Sequence, residues 1–313
     1  MSELILSANS KNCPSCGENF KGNYCCKCGE KVFHPKDLSL KNFFTNAVYT
    51  FSHVDTKFFL SLKFLLLKPG LLTKSYISGA RVKFGKPMQI FLLSNLFFYF
   101  VTHTIGSRDY TPFYGDHHFF FLSDYKILSW LQPIDQTIVN AIDSLDKWKQ
   151  SRLDLSEKEL IQLFSEHSWV YSKILVILLI PLYSIVFWVF FKRKLEYFGA
   201  AVIMATHFVS LQLILYSLYA FFVHYLHIPY NKLLEYIFFE SPIRFLGNFL
   251  FNNPFELSQL FMWVPFLFFT IKNIFKGNVW VQFVLAFIIC KILFFITFGI
   301  YKKVLIVITL WLM

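Results

Sequence analysis

Charge is the first thing this chain is short of. Only 16% of its 313 residues are Asp, Glu, Lys or Arg, where a soluble domain carries about 25%. Hydrophobic residues make up 56% and aromatics 20%, with 41 Phe, and the mean hydropathy is +0.49. That balance excludes a fold whose whole surface faces water. Glycine is also scarce, at 12 residues, and the glycine-rich phosphate loops are missing. There is no G-x-x-x-x-G-K-[ST] and no G-x-G-x-x-G, nor any G-x-S-x-G nucleophile elbow or H-E-x-x-H zinc helix. The nucleotide-binding, serine-hydrolase and metalloprotease classes that announce themselves by local motif are therefore excluded. No repeat of domain-building length recurs. The opening MSELILSANSKN has no apolar core behind a basic start, so the N-terminus is expected to stay in the cytoplasm.

Acidic residues are the next shortage. None occurs from Thr56 through Arg108, a stretch that holds Lys57, Lys63, Lys68, Lys74, Arg81, Lys83 and Lys86. The formal net charge is +11. In a soluble protein that excess points to nucleic acid; in a membrane protein it marks cytoplasmic loops and contact with anionic lipid.

What is present begins with cysteine. Five of the six lie between residues 13 and 28, and Cys290 stands alone in an apolar run. The cluster reads Cys13-Pro14-Ser15-Cys16-Gly17, then, after eight intervening residues counted from Cys16, Cys25-Cys26-Lys27-Cys28-Gly29. In a reducing compartment, paired C-x-x-C turns are metal ligands rather than disulfides. Two residues between ligands let one turn aim both sulfurs at a tetrahedral ion, and the following glycine supplies the positive φ. Cys13, Cys16, Cys25 and Cys28 are thus the expected ligands of a structural Zn2+, with Cys26 spare. A four-thiolate site leaves no open position for catalysis. A module this short cannot build its own core, so the ion must supply folding energy. A short hairpin with Gly22-Asn23 at its tip is expected between the pairs. Nucleic-acid binding is disfavoured, because Glu18 and Glu30 offset Lys11, Lys21, Lys27 and Lys31.

Between the cysteines and the first span, Asp37 can cap an amphipathic helix through Leu40, Phe43, Phe44, Ala47, Val48 and Phe51, and Asp55 a second one from Thr56 to Lys68, which Pro69-Gly70 stops. The second has an apolar run of about ten residues where about twenty are needed to cross, so it belongs in the interface. Its lysines, with those up to Lys86, either dock on anionic headgroups or serve only as a topology signal. Leu66, Lys68-Pro69-Gly70, Tyr76-Ile77-Ser78-Gly79, Arg81 and Pro87, standing behind two C-x-x-C-G knuckles and before a Phe-rich run, resemble a bacterial family catalogued as domain of unknown function 3667. The resemblance covers about residues 13–100. It implies a short zinc ribbon, a basic block and several helices in the inner membrane, with no activity to carry over. Ser75 stands where that family often has an acid.

Apolar runs predict spans near 88–105, 170–191, 199–226, 258–275 and 279–300. The fold expected is an all-α integral membrane protein of about five transmembrane helices with a small N-terminal zinc-ribbon knuckle. Its divisions are 1–34 (ribbon), 35–87 (basic amphipathic juxtamembrane segment) and 88–313 (membrane domain). Residues 1–87 hold 13 Lys/Arg against 5 acids, and loop 106–169 holds 6 against 10. The first side is therefore expected in the cytoplasm and loop 106–169 outside. Within that loop, Ile134, Ile138, Ile142 and Leu145 share a helix face, and Ser156-x-x-Glu159 is a capping box before Leu160, Leu163 and Phe164; two short helices on the membrane surface are expected. Pro181 should kink the second span. Val304 to Leu312 is too short to cross alone. It either lies in the interface or ends one long helix that starts at 279.

Polar residues inside the spans are the remaining candidates: His207, Gln212, Lys291 and, at a span end, His103. No carboxylate lies in any span to pair with them, so packing is the expectation for His207, and snorkelling or facing the helices for Lys291. His224 with His227, and the pair His117-His118, lack an anchoring acid pattern, and the lone acids Glu235, Glu240 and Glu256 show no paired arrangement. The function expected is a non-enzymatic inner-membrane scaffold or regulator presenting its ribbon to a cytoplasmic protein. A transporter or channel component, and a membrane enzyme acting on a lipid-linked substrate, are the alternatives.

Overall fold

A computed structural model describes residues 11–32, 56–105, 132–195, 197–226 and 254–313. The expected helix over 37–51 and the Asp55 cap lie outside these. The described chain is almost wholly helical. It forms β1 (Lys11–Asn12), β2 (Asn19–Phe20), α1 (Thr56–Leu67), α2 (Leu71–Ile77), α3 (Pro87–Ile105), α4 (Gln132–Leu153), α5 (Glu157–Leu175), α6 (Leu179–Phe191), α7 (Phe198–Leu226), α8 (Pro254–Ile274), α9 (Val279–Phe295) and α10 (Lys302–Leu312). The fold is all-α with a small cysteine-bearing N-terminal module, as the composition requires.

Among the described residues, four helical stretches are long and apolar enough to cross a membrane: Pro87–Ile105, Glu159–Phe191, Phe198–Phe222 and Val279–Leu312. The expected span at 258–275 is α8, whose apolar part, Gln259–Ile274, falls short of that length. Two spans are longer than the hydropathy alone indicated. The capping box forms as expected, with the Glu159 carboxylate accepting from Ser156 N–H at 2.8 Å and Ser156 Oγ accepting from Glu159 N–H. The helix it starts is not a short one. It continues as α5 and α6, interrupted only by a 3₁₀ turn at Val176–Leu178. Pro181 accounts for that turn: it has no N–H for the Ile177 carbonyl, and its ring crowds that group. At the C-terminus, α9 passes through a π-helical segment, Ile296–Tyr301, straight into α10. Trp280 and Trp311, near the two ends of this continuous helix, are 79% and 74% exposed.

The chain divides into two compact units. The first takes residues 1–96, 184–213 and 265–286. In it, Ser61 of α1 donates to the Lys57 carbonyl at 2.7 Å and accepts from Gly85 N–H at 2.8 Å. The Phe64 and Phe84 rings meet edge to face. These contacts fold the 78–86 loop back on α1. The turn at Pro69-Gly70 presses on α8: Asn273 Nδ2 donates to the Pro69 carbonyl at 2.6 Å, and a Cβ on Gly70 would stand 2.6 Å from the Thr270 Cα. Gly70 has φ 79°, so both the turn and the close approach require glycine. The first half of α7 is buried throughout, from Ala200 to Leu213.

The second unit takes residues 97–183, 214–264 and 287–313. Ile142 of α4, Phe164 of α5 and Ile306 and Leu310 of α10 form one cluster, with Leu145 and Met313 against it. The expected apolar face of the 134–145 segment does form, but it packs on helices rather than lying alone on a surface. Tyr99 donates to Ser172 Oγ at 2.8 Å, and the Tyr183 and Thr297 hydroxyls share a hydrogen bond. Outward positions along the long helices remain apolar: Leu96, Phe100, Ile174, Val189 and Val281 are each more than 60% exposed. Side chains of this kind need lipid as their solvent, and the protein is a multi-pass membrane protein.

Candidate metal centre

The two cysteine knuckles are built alike. Cys13 N–H donates to the Glu18 carbonyl at 2.9 Å and Gly17 N–H to the Cys13 carbonyl at 2.9 Å; Cys25 N–H donates to the Glu30 carbonyl at 2.8 Å and Gly29 N–H to the Cys25 carbonyl at 2.9 Å. Gly17 and Gly29 both adopt positive φ, 77° and 73°, as the C-x-x-C-G spacing requires. Each knuckle is closed by its own antiparallel pairing, Lys11 with Phe20 and Asn12 with Asn19 in the first, Tyr24 with Lys31 in the second. Gly22-Asn23 therefore bends the chain between the knuckles instead of tipping a hairpin, because each knuckle pairs within itself.

The four expected ligand atoms converge. The sulfurs of Cys13, Cys16, Cys25 and Cys28 all lie within 4.8 Å of one another, with Cys13 to Cys28 at 3.5 Å and Cys16 to Cys25 at 3.6 Å. A tetrahedral ion with bonds of about 2.3 Å sets its ligands about 3.8 Å apart, so the donor set fits a soft divalent metal. Cys26 is exposed and stands outside the group. For Cys25, burial raises the thiol, but the backbone N–H groups of Cys28 and Lys27 and the sulfurs of Cys16 and Cys13 outweigh it and bring it down to about 7. For Cys28 the backbone N–H of Glu30 lowers the thiol, but burial and the sulfurs of Cys13, Cys16 and Cys25 outweigh it and push it up to about 12. One thiolate forms readily and the last does not. Four thiolates together require a cation among them. The apolar core of the module is Cys13, Phe20 and Cys25, with Cys28 and Val32 against them, so the candidate ligands are themselves most of the core.

The two glutamates that end the knuckles part company. Glu18 accepts from Lys27 Nζ at 3.0 Å on the surface. Glu30 is 3% exposed. Its Oε2 accepts from Arg81 N–H at 2.9 Å, from Val82 N–H at 2.8 Å and from the Ser15 hydroxyl. The metal module is thereby fastened to the loop after Tyr76-Ile77-Ser78-Gly79. Arg81 also lies over the Tyr76 ring, 5.4 Å from its centre. Burial pushes the Tyr76 hydroxyl up to about 12, against the lowering effect of Arg81.

The intramembrane candidates resolve differently. His207 of α7 is 2% exposed. Its Nδ1 and the Thr73 hydroxyl of α2 share a hydrogen bond of 2.9 Å, and the Tyr76 ring meets its ring edge-on. Nε2 is buried with no hydrogen-bond partner among the described residues. Gln212 is buried on the same helix and Lys291 half-buried on α9. His103 is exposed, its ring 5.4 Å from Trp169, and His224 is exposed beside Tyr225. His117, His118, His227, Glu235 and Glu240 lie outside the described residues, as does the side chain of Glu256. Among the described residues, the four cysteines alone gather as a group of His, Cys, Asp or Glu suited to a metal.

Sequence reasoning read Gly70 only as part of a helix stop and family motif and Glu30 only as an offsetting charge, and did not single out Thr73 or Asn273. The recurrence of C-x-x-C-G-E marks Glu18 and Glu30 equally, and only the tertiary contact tells them apart. Residues 55–99 match the family described as "Protein of unknown function (DUF3667)", which holds Gly70, Thr73, Tyr76 and the Arg81–Val82 amides that receive Glu30. No curated protein and no solved structure matches the chain.

Proposed function

We propose that this chain is a non-enzymatic scaffold or regulator of a bacterial inner membrane, which holds a zinc ribbon in the cytoplasm for a protein partner. Cys13, Cys16, Cys25 and Cys28 carry one structural Zn2+. The proposed modules are the ribbon, residues 1–34, the basic segment 35–87, and the membrane domain 88–313 with residues 106–169 outside. The observation that carries the reading is the buried Glu30 carboxylate: a ribbon on a loose tether has no need of three donors on one oxygen. A fixed ribbon presents one constant face. Charge supports the sidedness. The stretches 56–96, 184–213 and 265–286 carry Lys57 through Lys86, Lys192, Arg193, Lys194, Lys272 and Lys276 against the single acid Glu196, the pattern of a cytoplasmic surface on anionic headgroups.

The test is affinity purification of the intact chain and of a variant lacking residues 1–34, both extracted from the same membranes. Proteins that accompany the first and not the second are the expected result; identical company for both rejects the scaffold reading. Cys26 gives the sidedness directly. A membrane-impermeant thiol reagent should label it in inverted vesicles and not in intact spheroplasts.

The unpartnered Nε2 of His207 favours a second reading, a transporter or channel component. It requires that His207→Leu abolish a measurable flux while the protein remains folded in the membrane.

A further inference from the structure

We propose that the ribbon is a metal-conditional clamp: with zinc bound, Glu30 holds the 79–86 loop of the basic segment in place, and loss of the metal lets that loop go. The proposal rests on the reading of the four cysteines as a zinc site, and it concerns what that site does to the rest of its own chain.

The backbone of Glu30 is placed by the second knuckle. It follows Gly29 at positive φ, and its own carbonyl takes the Cys25 N–H. Its carboxylate is oriented further by Ser15 from the first knuckle. The glutamate thus depends on both C-x-x-C turns and on their meeting. Because the module's core consists largely of the ligands, removing the ion removes the fold, and the carboxylate goes with it. The receiving end is equally committed. Arg81 and Val82 donate to Glu30 from a loop that begins at Gly79, φ 98°, is tied to α1 through Gly85 and Ser61 and through the Phe84 and Phe64 rings, and leads directly into Pro87 at the start of α3. When Glu30 leaves, two amides lose an ionised acceptor, and the junction of α1, α2 and α3 loses its outer brace. Linkage makes the effect reciprocal: whatever factor zinc contributes to docking, docking returns to zinc affinity.

The experiment uses the full-length protein in nanodiscs and follows backbone hydrogen exchange by mass spectrometry, with zinc bound and after chelation. Faster exchange in peptides covering 79–84, accompanying that in the ribbon, is expected on chelation. In the Glu30→Ala variant loaded with zinc, the 79–84 peptides should exchange faster while the ribbon stays protected. Its zinc should pass to a competing chelator at about tenfold lower concentration, within the usual range of coupling between sites. Glu30→Gln, which keeps shape and loses charge, should fall between. Unchanged exchange at 79–84 after metal removal overturns the proposal, as does a Glu30→Ala protein with wild-type loop protection and zinc retention. A chain that holds no zinc overturns the reading beneath it, an outcome separable because the metal is counted first.

Discussion

At the scale of single residues, two glutamates in the same motif do opposite things. Glu18 makes one ion pair in water, a contact that contributes little to stability. Glu30 is buried on three donors, and deleting it strands two amides, a change that costs about 2–3 kcal/mol. Glu18→Ala should therefore leave the thermal midpoint of the purified protein almost unmoved, and Glu30→Ala should lower it clearly. Gly70 is a sharper case. Alanine there meets the Thr270 backbone at 2.6 Å in a conformation that L side chains rarely adopt. Strain and overpacking together cost about 3 kcal/mol or more. Gly70→Ala should pull the protein out of its monodisperse peak on size exclusion, whereas Gly277→Ala, whose Cβ would meet only the Gln282 amide at 3.4 Å, should not. The convergence of the four cysteines was legible from spacing alone, because a C-x-x-C-G turn is local. Glu30 was not, since its partners lie 51 and 52 positions away and nothing about a glutamate announces which backbone amides will surround it. His207 was visible as an anomaly in an apolar run, but its bond to Thr73 joins residues 134 apart.

At the scale of elements, the capping box at Ser156 was read correctly and its consequence was not. Glu159 and Glu166 interrupt the apolar pattern before Val170, so the expected span begins too late; the helix carries Glu166 on an exposed face and Lys173, already inside the expected span, over an aromatic ring. The Lys173 Nζ lies 3.2 Å from the centre of the Trp169 ring. The continuity of α5 and α6 also makes a prediction. Substituting Trp169 by leucine removes that cover for a lysine within the span, and the variant should tolerate less detergent before unfolding, by about 1–2 kcal/mol. The ribbon, by contrast, is on the proposed reading an element that stands or falls on its metal. Serine at Cys13, Cys16, Cys25 or Cys28 should abolish zinc in the purified protein and leave membrane insertion intact, measured as the fraction resistant to carbonate extraction.

At the scale of the whole molecule, the apolar length of its helices made the membrane legible, since a bilayer admits few other solutions, and the family match at residues 55–99 falls on the stretch where ribbon, α1, α2, α7 and α8 make contact. The π segment at Ile296–Tyr301 has a consequence for everything beyond it. A π turn is an α-helix carrying one surplus residue, and each residue turns the chain by about 100°. That single surplus sets the azimuth of the entire C-terminal segment. Ile306 and Leu310 face Ile142 and Phe164, and Lys302 and Lys303 are buried, only because the phase has been advanced. Deleting Gly299 would let the segment relax to a regular helix, rotating both lysines and both apolar residues off their present bearings at once. One codon acts there as a phase-setting shim, and its loss should be undone by inserting a residue elsewhere between Phe295 and Lys302.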